Sequence, residues 1–92
     1  MQDLIKALLR HGCSISIYND YSEPMVIEST VYSVIMTNIR RVKGKPHADV
    51  VIKKDNLYGH FVVKNGKMTA HSNCVDSLID NLLIDHLADN PN

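Results

Sequence analysis

The chain has 92 residues, 45% of them apolar, and its ten basic and ten acidic residues give a formal net charge of zero. That length makes one domain with a small core and marginal stability, and the apolar content excludes a disordered chain. Neutrality argues against a purely electrostatic nucleic-acid binder and against an acidic mimic of DNA, although local patches can still act.

The first predicted element is a helix from Gln2 to His11. Leu4, Ile5, Leu8 and Leu9 recur at the helical period, with Asp3, Lys6 and Arg10 opposite. Lys6 breaks this apolar cluster and Arg10-His11-Gly12 ends it, so it reads as neither a secretory leader nor a membrane span. Gly12 is the C-terminal stop. Cys13 to Tyr18 then alternates, placing Cys13, Ile15 and Ile17 on the buried face of a strand. Asn19 to Pro24 is turn chemistry, and a second strand over Met25 to Glu28 closes a hairpin. Ser29 or Thr30 caps a second helix. Its stripe is Val31, Val34, Ile35, Ile39 and Val42, widened by Tyr32 and Met36.

After the linker Lys43 to Pro46, strands are expected over Ala48 to Lys53 and Tyr58 to Lys64, with a turn at Asp55-Asn56. Asn65-Gly66 is a hairpin signal leading to a strand from Lys67 to Ala70, since that turn needs positive φ at both central residues. A third helix opens at Ser72 or Asn73, with Asp76 in its first turn and Val75, Leu78, Ile79, Leu82 and Leu83 as its buried stripe. The predicted fold class is therefore α+β. The order is α-β-β-α-β-β-β-α, with a mostly antiparallel sheet and the helices packed on one face.

Residue types that carry chemistry are scattered. His11 and Cys13, together with His71 and Cys74, supply the four ligands a structural zinc takes, but the spacing is not that of a finger. The alternative is buried thiols and surface histidines, and two free cysteines suit a cytoplasmic protein. Cys74 near a helix start, with His71 as its base, would make a nucleophile, yet no orienting group or oxyanion site accompanies the pair. Gly44, Gly59 and Gly66 are isolated, so no phosphate-cradling loop exists. We expect no enzyme, no metal and no cofactor.

Charge is more informative. Residues 40–67 hold eight basic residues against two acidic, a net +6, while residues 1–39 carry −2 and residues 68–92 carry −4. Arg40, Arg41, Lys43 and Lys45, with Lys53 and Lys54 on the following strand, are the candidate partner-binding residues. The bland alternative is that cations complement a helix C-terminus and lysines solubilise strand edges. Tyr58 and Phe61 are the only aromatics nearby for stacking on bases. On the acidic third helix, Ile84 points away from the buried stripe, as a contact residue would. A basic and an acidic surface on one molecule also favour a homodimer.

The stretch Asp3-Leu-Ile-Lys-Ala-Leu-Leu-Arg-His-Gly-Cys-Ser-Ile-Ser-Ile-Tyr-Asn-Asp20 resembles the start of small uncharacterised phage and prophage proteins. Met25-Val-Ile-Glu-Ser-Thr30, leading into a helix, and the ending Ile84-Asp-His-Leu-Ala-Asp-Asn90 fit the same layout. The basic run Arg40 to Lys45 departs from it, and no functional residue is carried over. The resemblance implies an accessory protein in the host-cell cytoplasm that binds and inhibits or modulates a host or defence protein. The alternative is a nucleic-acid-binding module using Arg40 to Lys67.

Overall fold

Eight elements follow one another in the computed structural model, which describes residues 2–19, 21–42, 48–64, 67–73 and 77–85. They are α1 (Gln2–Arg10), β1 (Ser14–Tyr18), β2 (Pro24–Ser29), α2 (Tyr32–Val42), β3 (Ala48–Lys54), β4 (Leu57–Lys64), β5 (Lys67–Asn73) and α3 (Ser77–Ile84). The strands form one sheet in the order β2-β1-β3-β4-β5, and every neighbouring pair is antiparallel. Because β2 and β3 both oppose β1, they run parallel to each other. The chain between them crosses over β1 through α2.

The end of α1 is fixed by a glycine. Gly12 adopts φ 85°, its N–H donates to the Leu9 carbonyl, and the Cys13 N–H reaches back to the Leu8 carbonyl. This closes the helix in a left-handed cap that joins Leu8 to Cys13, both buried. Cys13 is thus the apolar residue of a helix cap, just before β1.

The alternation in the strands sets the core. Ile15, Ile17, Val50, Ile52, Phe61 and Val63 are buried on one face of the sheet. They pack with Leu4, Ile5 and Leu8 of α1, Ile35, Met36 and Ile39 of α2, and Ile79 and Leu83 of α3. All three helices therefore sit on that face, as the α+β reading expects. Registers align the apolar positions into rows across strands: Ile15 with Ile52, and Ile17 with Val50 and Phe61.

The β1–β2 pairing holds an instructive irregularity. Ile15 faces Ser29 and Ile17 faces Val26, so β2 carries one extra residue between them. In an unbroken strand Val26 and Glu28 would share a face, and Glu28 would enter the core. The bulge turns Glu28 into the left-handed region, at φ 47°, and out of the core. Its N–H then donates to Oγ of Ser16, 2.8 Å away. Ser16 is the one buried polar residue among those described.

Four expectations needed correction. The second helix starts at Tyr32, where the Val31 carbonyl takes the first helical bond from Ile35 N–H; Ser29 Oγ instead accepts the Val31 N–H. Val31 and Val34 are exposed, so the true stripe is Tyr32, Ile35, Met36 and Ile39. The last strand continues to Asn73, so α3 opens at Ser77 rather than at Ser72 or Asn73. Pairing along β4, which reaches Gly59 opposite Asn73, overrides the capping tendency of those two residues. Leu78 is half exposed, leaving Ile79 and Leu83 as the buried pair of α3 with Leu82 at its margin. Asn65-Gly66, Val75, Asp76 and His86 lie outside the described residues, although Lys64 and Lys67 do face each other across the β4–β5 hairpin.

Candidate interaction surface

Among the described residues, none of the helices packs on the second face of the sheet. Cross-strand registers arrange it in three rows: Tyr18, Asp49 and Val62; Ser16, Val51 and His60; and Ser14, Lys53 and Tyr58. Tyr18, Val51, Val62 and His60 are half-buried, and Tyr58 is exposed. Val51 and Val62 sit where a solvated strand face ordinarily carries polar residues. Both signals were present in the sequence as apolar residues on the outward phase of β3 and β4, but they are informative only once the face is known to be bare.

Polar side chains of this face are partnered within it. Lys53 Nζ lies 3.2 Å from Oε1 of Glu28 and 5.8 Å from the centre of the Tyr58 ring. His60 Nε2 lies 3.4 Å from Oδ1 of Asp49. The hydrogen bond and charge of Glu28, and then Tyr58, raise the Lys53 pKa above its ordinary 10.5. The ammonium therefore contributes stability that is complete below that value and is lost as pH rises through the raised pKa. Glu28→Gln is expected to bring the Lys53 titration back towards 10.5, as read from its side-chain NMR shift; an unmoved titration would show that Glu28 does not hold it.

Among the described residues, the candidate basic residues fall in two places. The short connection of residues 30–31 starts α2 beside Ser29, at the end of the sheet where Ile15 and Ile52 lie. Eleven helical residues rise about 16 Å, and five strand steps from Ser29 back to Pro24 cover about the same distance. Arg40 and Arg41 therefore sit at the far end, with Lys64 and Lys67 also towards it, next to the paired Ala48 and Val63. Lys53 and Lys54 close β3 at the other end, opposite Tyr58 and Leu57. Lys43 and Lys45 lie outside the described residues.

The remaining candidates divide in the same way. Phe61 is 0% exposed and offers no ring to a base, which leaves Tyr58 of the two stacking candidates. His11 is half-buried at the end of α1 and Cys13 is in the core. The His71 side chain and Cys74 lie outside the described residues. Ile84 is 48% exposed, as its position on the helical wheel predicted.

No family model, curated protein or solved structure matches the chain. Among the described residues, no helix is long and apolar enough to cross a membrane.

Proposed function

We propose that the chain is a non-enzymatic accessory protein that binds another protein through the open face of its sheet and blocks or redirects it. The observation that carries this reading is the composition of that face. It carries apolar and aromatic side chains, Tyr18, Val51, Val62 and Tyr58, while Lys53 is ion-paired with Glu28 and His60 is hydrogen-bonded to Asp49. A protein can cover such a face with its Lys53 charge already paired and its His60 and Asp49 side chains already hydrogen-bonded. A phosphate backbone needs a contiguous field of available cations, and among the described candidates Lys53 and Lys54 lie at the opposite end of the sheet from Arg40 and Arg41. The resemblance to small phage and prophage proteins points to a host or defence complex as the target.

The test is retention of partners from host lysate at moderate salt on immobilised protein. Val51→Glu with Val62→Lys should reduce retention at least about tenfold, equivalent to ~1.4 kcal/mol, while the circular dichroism spectrum stays unchanged. Arg40→Glu with Arg41→Glu should reduce it less. A retained species that is nucleic acid, lost steeply with salt and most sensitive to the arginines, would replace this reading with the nucleic-acid one. Retention of nothing would end both.

A further inference from the structure

We propose that a protein covering the open face makes the His60–Asp49 pair take up one proton, so that this face holds its partner more tightly in acid than at neutral pH. The inference rests on the reading of that face as the binding surface. β3 pairs Val51 with His60 and Asp49 with Val62, which sets Asp49 diagonally from His60 on the outward face. His60 Nε2 stands 3.4 Å from Oδ1 of Asp49. The two side chains are 41% and 34% exposed, so both are wet in the free protein and both lose water when the face is covered. Near neutral pH an ordinary carboxyl is ionised and an ordinary histidine is mostly uncharged. A pair in those states carries one negative charge into the contact.

The surroundings of the pair are set by register. On β3, Val51 is opposite His60, with Asp49 and Lys53 on either side of it. Lys53 Nζ is 3.2 Å from Oε1 of Glu28, so its charge is directed to that carboxylate. On β4, His60 shares the outward phase with Tyr58 and Val62. Lys64 follows four residues on, about 13 Å away and beyond the Debye length at physiological salt. On β5, Ser72 is opposite His60 and Ala70 opposite Val62, and neither residue type titrates. Asp49 is flanked by Tyr18 of β1 and Val62 of β4, and a phenol is uncharged at neutral pH. Among the described residues, what neutralises the pair under a partner is then a proton taken up by the pair itself. Covering an ionised carboxylate beside a neutral imidazole removes its water and returns no opposite charge. A protonated imidazole at the same distance makes an ion pair that tolerates burial. Protonating the carboxylate instead takes up the same proton, so the uptake belongs to the pair. The partner that fits is a protein surface that is apolar and uncharged where it lies over Asp49, matching Tyr18, Val51 and Val62 around it. By linkage, its affinity falls as pH rises through the histidine titration of the free chain.

The protein retained by the immobilised full chain, once purified, is titrated against it between about pH 5.5 and about pH 8, a range that spans the ordinary histidine titration. Its dissociation constant should rise at least about tenfold across that range. His60→Gln keeps a hydrogen-bond donor for Asp49 but takes no charge. It should bind at every pH about as weakly as the wild type does at about pH 8. Asp49→Asn removes the carboxylate and should bind at least about tenfold more tightly than the wild type at about pH 8. A purely structural role for the pair would instead make both substitutions weaken binding and leave the pH slope in place. Circular dichroism checks that each variant is folded. A flat wild-type profile, a slope that persists in His60→Gln, or an Asp49→Asn variant that binds no more tightly at the alkaline end would overturn the proposal. A partner that brings its own cation to Asp49 gives the flat profile. If that flat binding is still lost in Val51→Glu with Val62→Lys, the binding face stands and only the proton linkage falls. Retention of nothing at any pH ends both.

Discussion

Phe61→Ala is expected to destabilise the domain by about 3–5 kcal/mol. The ring is 0% exposed and lies at the centre of the sheet's inner face, opposite Val50 and in one row with Ile17. Removing it takes away the largest fully buried side chain among the described residues and leaves a cavity beneath the helices. Small domains hold about 5–15 kcal/mol in total, and this one belongs near the lower end because so little of a short chain can be buried. The variant should therefore be close to unfolded at physiological temperature. Urea denaturation followed by circular dichroism measures it, with Tyr58→Ala on the open face as the control. Tyr58 is 53% exposed, and its loss should cost less than about 1 kcal/mol. Equal effects from the two variants would mean that the inner face is not the core.

Ser16→Ala is expected to cost about 1–3 kcal/mol, because it removes the hydroxyl that accepts the Glu28 N–H at the bulge. Ser16 is 6% exposed, and the bond to Glu28 is 2.8 Å. Ser16→Thr keeps the hydroxyl and should restore most of the loss. Glu28→Gly removes the carboxylate from Lys53 but also the Cβ that strains a left-handed residue. An exposed ion pair contributes little, whereas glycine relieves about 1–2 kcal/mol of left-handed strain and loses part of that to its freedom in the unfolded chain. We therefore expect Glu28→Gly to be neutral or slightly stabilising. A strongly destabilised Glu28→Gly would show that the carboxylate, and not the backbone bond to Ser16, holds the bulge.

These two sites also show where local reading loses its grip. The alternation of Ile15 and Ile17 is a local property, and it was legible at once. The bulge at Glu28 is not, because nothing in Met25 to Glu28 distinguishes a regular strand from one with an extra residue until its partner is present. Ser16 reads as an outward polar residue of β1, and only the approach of β2 turns it into a buried acceptor. The same limit applied to β5 and α3. Ser72 and Asn73 are good helix caps by themselves, but β4 supplies backbone partners as far as Asn73, and a ladder of hydrogen bonds outweighs a single cap.

The candidate site was legible only in fragments. The concentration of basic charge in residues 40–67 is a property of the sequence, yet proximity along the chain did not become proximity in space. A crossover over one strand carries Arg40 and Arg41 to one end of the sheet, while β3 carries Lys53 and Lys54 to the other. Lys53 is further committed to Glu28, 25 residues away in sequence. Tyr18, Val51 and Val62 are not distinctive in the sequence, because an outward valine or tyrosine is ordinary; they stand out only because none of the described residues packs over that face. Conversely, the exposure of Ile84 followed from helical period alone.

What the sequence by itself determined is the set of elements, their order, the cap at Gly12 and the inner stripes of α1, β1, β3 and β4, while the stripes of α2 and α3 lost Val31, Val34 and Leu78 to solvent. Those depend on interactions between residues a few positions apart, through hydrogen-bonded turns and the periods of helix and strand. What only the tertiary structure decided is the strand order, the bulge that keeps Glu28 out of the core, the open face, and the division of the basic residues between two ends. Those depend on which strands lie side by side, and that is settled by burying every apolar stripe in one core at once.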